Sequence, residues 1–258
     1  MTPGSETSLL ELEHVSVHFE GLRALNDVSF DVSKGEIVGL IGPNGAGKTT
    51  AFNVACGFVK PSQGHVHYPS AGKSNLRPNQ LVGAGVARTL QGVGLFPHCT
   101  VLENVMAGGH LRPNGGFVAS FLSLPSEIRS ERALRRDALA MLERLRITDM
   151  AARLPSSIPY GIAKKVSVAR ALMSDPSLLL LDEPASGLDE AELEDFAQLI
   201  VELRSSMGVL LVEHDMEFVM PLVDRLVVLN FGEVIAQGAP VDVRKNDDVI
   251  AAYLGVDE

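Results

Sequence analysis

Residues 158–189 read IPYGIAKKVSVARALMSDPSLLLLDEPASGLD and carry two chemical signals within one short stretch. The first is a glycine at a helix start, Gly161; the second is an apolar run, residues 178–181, that ends in the carboxylates Asp182 and Glu183. A helix N-terminus offers unpaired N–H groups and positive potential to an anion. A carboxylate at the end of a buried strand stands on the edge where parallel α/β sheets bind ligands. A phosphate site and a water-activating acid are therefore implied together. Asp182 suits a magnesium shell, and Glu183, pointing elsewhere, can orient or deprotonate an attacking water, which favours hydrolysis over transfer to another substrate.

Working outward, residues 42–49 read GPNGAGKT and match G-x-x-x-x-G-K-[ST] between an apolar strand (residues 36–41) and a helix, the context the pattern requires. The glycines let successive N–H groups converge on a β-phosphate, Lys48 reaches the β and γ oxygens, and the Thr49 hydroxyl ligates magnesium. The helix carries Phe52, Val54 and Ala55 and stops at Gly57, with Pro61 beyond. Downstream, His214 follows the apolar run of GVLLVE (residues 208–213) and so stands on the same ligand edge, as a γ-phosphate sensor or a holder of the attacking water. A lone histidine is otherwise more often structural. Gln91, in RTLQGVGLF, lies at the junction with a helical region and can contact magnesium or the water while moving with that region.

The 258 residues, 46% hydrophobic and 21% charged, are enough to bury roughly 70 to 75% of the unfolded surface in one compact unit with a lobe. A net charge of -10 argues against duplex nucleic acid as a partner, so anions must be held locally by backbone amides. Cys56 and Cys99 lie far apart without metal-type spacing, which fits a reducing compartment. The N-terminus lacks the pattern of a signal peptide, and FVASFLSL (residues 117–124) is too short to span a bilayer and is expected to pack as a helix in the lobe. A membrane, if involved, is supplied by another chain.

Alternation in residues 10–19 (LELEHVSVHF) and 28–32 (VSFDV) predicts two antiparallel strands joined around Gly21. From about residue 92 to 169 the strand signals fade, and Leu134, Ala138, Met141, Leu142 and Leu145 recur at helical spacing. Strands then resume at residues 178–181, 209–212, 226–229 and 234–236, with a helix around Leu193, Phe196, Ala197, Ile200 and Leu203. The reading is an α/β fold with a mostly parallel sheet covered on both faces, an N-terminal antiparallel β layer and an inserted helical lobe.

Taken in order, the P-loop, the Gln91 loop, IPYG, the LLLLDE strand, ASGLD (residues 185–189) and His214 resemble the ATP-binding subunit of an ABC transporter over nearly the whole chain. GVARTLQ, LFPHCTVLENVMAG, IPYG, VEHDMEFVM and VIAAYLG are similar to the subgroup serving branched-chain amino acid, amide or urea importers. The resemblance implies one ABC ATPase domain over residues 1–258, with residues 9–91 and 170–258 as nucleotide-binding core and 92–169 as helical lobe with the signature. It implies that ATP meets Gly42, Pro43, Asn44, Gly45, Ala46, Gly47, Lys48, Thr49 and Thr50, that Phe19 stacks on adenine, and that Thr49, Gln91 and Asp182 hold magnesium. Glu183, His214 and Gln91 are its catalytic set. It further implies a head-to-tail pair in which Tyr160 and Gly161 of one chain face the γ-phosphate held by another. Integral-membrane permeases, a second ABC ATPase subunit and, indirectly, a solute-binding protein are the implied partners, at the cytoplasmic face of the membrane.

The signature departs from LSGGQ at every position but one, and Pro159 supplies neither hydroxyl nor N–H to a γ-phosphate. Gly161 and the helix start survive, and Lys164 and Lys165 can add charge there. That half-site is expected to differ from a partner's, making an unequal pair with a sister ATPase chain. A soluble ABC ATPase of DNA repair or translation is the alternative, and a basic face, a long coiled-coil insertion or tandem ATPase domains are expected of it. A P-loop kinase would lack the signature helix, and a binding-only module would lack Glu183.

Overall fold

The structure is a computed structural model that describes residues 8–89, 92–109 and 125–254. The expected first hairpin is present as β1 (Ser8–Phe19) and β2 (Leu22–Ser33), paired antiparallel across Glu20 and Gly21. A five-residue strand, β3 (Ile37–Ile41), is buried throughout and feeds the glycine loop and α1 (Lys48–Ala55). The chain then returns to the first sheet as β4 (Gln63–Tyr68) and β5 (Lys73–Ser74), giving the order β2-β1-β4-β5.

The sequence pattern does not announce β4, because QGHVHY alternates weakly. Tertiary packing makes the strand. Gly64, at φ 78, lies so close to β1 that a Cβ there would stand 2.2 Å from the His14 carbonyl oxygen. Tyr68 is fully buried and donates its hydroxyl hydrogen to the Ala55 carbonyl at 2.8 Å, tying β4 to the end of α1.

After β6 (Val86–Arg88) come α2 (Val101–Gly109), α3 (Pro125–Arg144) and α4 (Tyr160–Leu172), the last leading into β7 (Leu178–Asp182). Ala138, Leu142 and Leu145, expected on one helical face, are buried among these helices. The stretch 117–124, read as a lobe helix, lies outside the described residues. Then follow α5 (Glu190–Arg204), β8 (Gly208–Val212), α6 (Met216–Val219), β9 (Arg225–Asn230), β10 (Glu233–Gly238), α7 (Pro240–Val243) and α8 (Asp247–Leu254).

Among the described residues the second sheet runs β10-β9-β3-β8-β7-β6, parallel except for the β9–β10 hairpin. Its central strands are apolar on both faces because both are covered. Ile37, Ile41, Leu179, Leu181, Val209 and Leu211 point into a core shared with α2 to α5. Val38, Leu40, Leu178, Leu180, Leu210 and Val212 point the other way, onto α1 and the antiparallel sheet. Each such side chain stabilises the fold by about 1.5–3 kcal/mol relative to exposure. The burial on both faces therefore pins the register.

Tyr68→Phe removes the hydroxyl donor that ties β4 to α1 and leaves the packing in place. It should cost about 1 kcal/mol and lower the thermal midpoint by about 2–4 °C in a chain of this size. Calorimetry of the variant against the parent chain measures this, and an unchanged midpoint would remove the hydrogen bond from the account of β4.

Candidate nucleotide site at the strand ends

Leu40 of β3 and Asp182 of β7 both register against Val212 of β8, so three parallel strands finish at one level. The glycine loop, Glu183 and His214 leave from that level within two residues of it. Gly42, Gly45 and Gly47 adopt φ of 149, 78 and 103. A Cβ on Gly42 would lie 2.1 Å from the Leu229 carbonyl oxygen, whereas one on Gly45 would meet nothing within 4 Å, so the loop is packed at its root and open at its mouth. No side chain caps the N-terminus of α1, and its first turn holds no acidic residue. Its orphan amides and positive dipole end are thus left for an anion. Lys48 closes over the loop and donates from Nζ to the carbonyls of Gly42 at 2.6 Å and Pro43 at 2.8 Å. Burial pushes its ammonium below the ordinary lysine range, and the carboxylate of Glu183 opposes that shift. Thr49 is exposed and Thr50 half-buried.

Opposite the loop stand the acids. Burial, and next the neighbouring Glu183, push the Asp182 carboxyl up, against the pull of Arg88. A cation beside Asp182 would relieve that charge. Glu183 has φ 47, in the left-handed region, where a residue with a side chain pays about 1–2 kcal/mol. Its amide donates to the Val212 carbonyl at 2.9 Å. Its own carbonyl accepts from Lys164 Nζ at 3.1 Å and from the Ser186 amide at 3.3 Å.

Lys164 and Lys165, which the sequence offers as added charge at the helix start, are drawn into the protein instead. Both are buried, because α4 is covered on most of its circumference. Lys164 also donates to the Pro184 carbonyl at 2.5 Å, and Lys165 pairs with Asp195 of α5. Glu213, the residue before His214, is completely buried, although in the sequence it reads only as the acid that ends an apolar strand. It accepts from the amides of Ala185 at 2.6 Å and His214 at 3.1 Å. Burial pushes its carboxyl up, and those hydrogen bonds pull it back. The His214 side chain itself is 59% exposed at the strand end.

The start of α4 forms a separate part of the site. Pro159 occupies the N-cap without a side-chain hydrogen bond, and the Gly161 amide donates to Glu192 Oε1 of α5 at 3.3 Å. The other oxygen of that carboxylate accepts from the Asp189 amide at 3.2 Å, so one anion caps two helix starts. Tyr160 is 43% exposed and Phe19, at the tip of β1, 46%, so neither aromatic is committed to the core. Gln91 lies outside the described residues.

A phosphate cradle, a cation-seeking acid pair and an exposed histidine on one sheet edge define a P-loop nucleotide-hydrolysing domain. Comparison with known proteins narrows the class. Residues 25–186 match the family model described as ABC transporter, and residues 233–258 that described as branched-chain amino acid ATP-binding cassette transporter. The chain is 40% identical over 249 residues to the high-affinity branched-chain amino acid transport ATP-binding protein BraF of Pseudomonas aeruginosa, covering 96% of this chain and 98% of that one. A nucleotide-free ATP-binding cassette from an ABC transporter superposes with a TM-score of 0.81 at 30% identity, over 95% of this chain and 98% of that one. A dimeric cassette in a post-hydrolysis state, bound to ADP and Pi, superposes with a TM-score of 0.72 at 25% identity, over 90% and 99% of the two chains. The chain belongs to the ABC transporter family, and it is an ATP-binding, ATP-hydrolysing subunit.

Replacing Glu183 by Gly removes the left-handed penalty and the repulsion on Asp182, while adding about 0.5–1 kcal/mol of backbone entropy cost. The variant should melt at or up to about 3 °C above the parent chain while losing ATP turnover. A clear fall in the midpoint would show that Glu183 stabilises the fold rather than being held by it.

Proposed function

We propose that this chain is the ATP-driven motor of an importer for branched-chain amino acids or related amides or urea, acting at the cytoplasmic face of a membrane. The single observation that carries the mechanism is the common level of β3, β8 and β7, which aims the loop amides, Lys48, Asp182, Glu183 and His214 at one ligand edge. Residues 42–50 cradle the triphosphate, and Lys48 exchanges its loop carbonyls for phosphate oxygens. Phe19, exposed at the tip of β1, offers a face for the adenine. Thr49 and Asp182, with Gln91, would hold magnesium. Among the described residues no cluster of three acids, histidines or cysteines forms a metal cage, which fits an ion that keeps water and phosphate ligands. Bound there, magnesium would neutralise charge on the phosphate oxygens. Glu183 takes the proton of the attacking water, and His214 orients the water or the γ-phosphate.

Gly161 and Tyr160 serve the ATP of a second ATPase subunit, so closure of the pair requires Glu192 to give up the Gly161 amide to phosphate. The dimeric neighbour supports a paired cassette. The substrate class rests on the name of the relative and on the match over residues 233–258.

Among the described residues no helix is long and apolar enough to cross a membrane, and the spanning part is assigned in this reading to permease subunits. A groove of about 430 Å³, lined by Phe58, Leu81, Val86, Phe96 and Arg170, offers them a seat. Phe58 and Phe96 are 56% and 52% exposed there, each beneath an arginine. Asn104, fully buried, fixes the Phe96 loop by accepting from the Phe96 amide, while the two hydrogens of its NH2 are shared among the carbonyls of Phe96, Cys99 and Thr100. An apolar, built groove of this kind suits a helix from a partner, and it favours a transport role over a free-standing ATPase.

Glu183→Gln should lower ATP turnover by about 100-fold or more, the scale of a lost general base, while ATP binding persists. Single-turnover and binding measurements on the assembled transporter check this, and near-normal turnover would move the catalytic role elsewhere. Phe58→Asp with Phe96→Asp should abolish amino acid uptake and leave ATP binding by the chain intact. Uptake at the parent rate would remove the groove from the permease interface.

A further inference from the structure

Three segments distant in sequence meet behind Glu183: the first turns of α4, the end of β7 and the end of β8. We propose that Lys164 and Glu213 are positioning residues for hydrolysis, together clamping the backbone of residues 183–185 so that Glu183 keeps its reactive orientation. The proposal rests on the reading of Glu183 as the acid that activates water.

Glu183 occupies the left-handed region, at φ 47, directly before Pro184. A following proline biases a residue toward extended backbone, so this conformation is disfavoured on two counts and persists only where neighbours over-determine it. Besides the backbone bonds of Glu183 to Val212 and Ser186, two side chains hold it. Lys164 Nζ donates to the carbonyls of Glu183 at 3.1 Å and Pro184 at 2.5 Å. Glu213 Oε1 accepts from the next amide, that of Ala185, at 2.6 Å. Two successive peptide units, 183–184 and 184–185, are thus tied by one cation and one anion.

Both charges are sunk in the protein, with Lys164 4% and Glu213 0% exposed. Well-packed apolar residues generally serve stability as well as a buried pair does, so such charges point to a geometric task. Each end of the clamp also adjoins a part of the site. Lys164 lies three residues after Gly161, on the adjacent turn of the same helix, and the second oxygen of Glu213 accepts from the His214 amide at 3.1 Å. Movement of the start of α4 as it meets the other subunit's nucleotide is therefore passed to the backbone of this chain's own Glu183.

The test is steady-state ATPase kinetics of the assembled transporter carrying Lys164→Met, Glu213→Ala or Glu213→Gln, each alone and combined with Glu183→Gln. Lys164→Met and Glu213→Ala should lower kcat by about 10- to 100-fold, the scale of a misplaced catalytic group, with KM for ATP little changed. Glu213→Gln, which keeps an acceptor for the Ala185 amide, should recover part of the loss. In the Glu183→Gln background the clamp variants should lower the rate no further, since they act through the group already removed. Losses that multiply in the double variants, a raised KM at unchanged kcat, or a parental kcat in Lys164→Met would overturn the clamp. If Lys164→Met does not fold, Glu213→Ala against Glu213→Gln carries the same comparison. Parental turnover in Glu183→Gln alone would instead overturn the reading of Glu183, and the clamp with it.

Discussion

The parallel register of β3, β8 and β7 places the ends of three strands on one ledge, and the chemistry of this chain is built on that ledge. A strand advances about 3.3 Å per residue, so a two-residue slip of β7 would carry Glu183 more than 6 Å from the loop it serves, and a one-residue slip would turn every side chain over. The protection against slippage is burial. Alternate residues of each central strand are committed to opposite cores, one under the helices and one under the antiparallel sheet. The site is precise because its scaffold has nowhere else to put its leucines and valines.

On that ledge the protein holds unfavourable local states that ligands relieve. Lys48 is bound to its own loop carbonyls, Asp182 sits half out of water beside a like charge, and Glu183 is held in a left-handed turn. Glu192 fills the amide of Gly161. In the function proposed, a triphosphate with its cation would answer the first two, and a phosphate from another subunit the last. Glu183 is one of several non-glycine residues with positive φ in the described residues, and the one that stands at the ends of β3, β8 and β7.

Much of this was legible in the sequence. GPNGAGKT between an apolar strand and a helix, and LLLL ending in Asp182 and Glu183, are local patterns with a physical reason for every position. What stayed hidden is tertiary. β4 exists through Gly64 against β1 and Tyr68 against Ala55, neither of which leaves a periodic trace. Lys164 and Lys165 read as added charge at the helix start and are in fact buried, since α4 is enclosed by its neighbours. Glu213 reads as a polar residue next to a histidine, and only the return of the chain after Pro184 makes it an acceptor for Ala185.

The central claim is that one ATP is held jointly by the strand ends of one subunit and the start of α4 in another. Amide hydrogen exchange of the assembled transporter, with and without ATP and magnesium in the Glu183→Gln background, tests it most directly. Peptides spanning residues 42–50 and 159–164 should gain protection together, and the second gain should be absent with ADP. Protection of residues 42–50 alone, with the start of α4 exchanging as freely as before, would contradict the shared site.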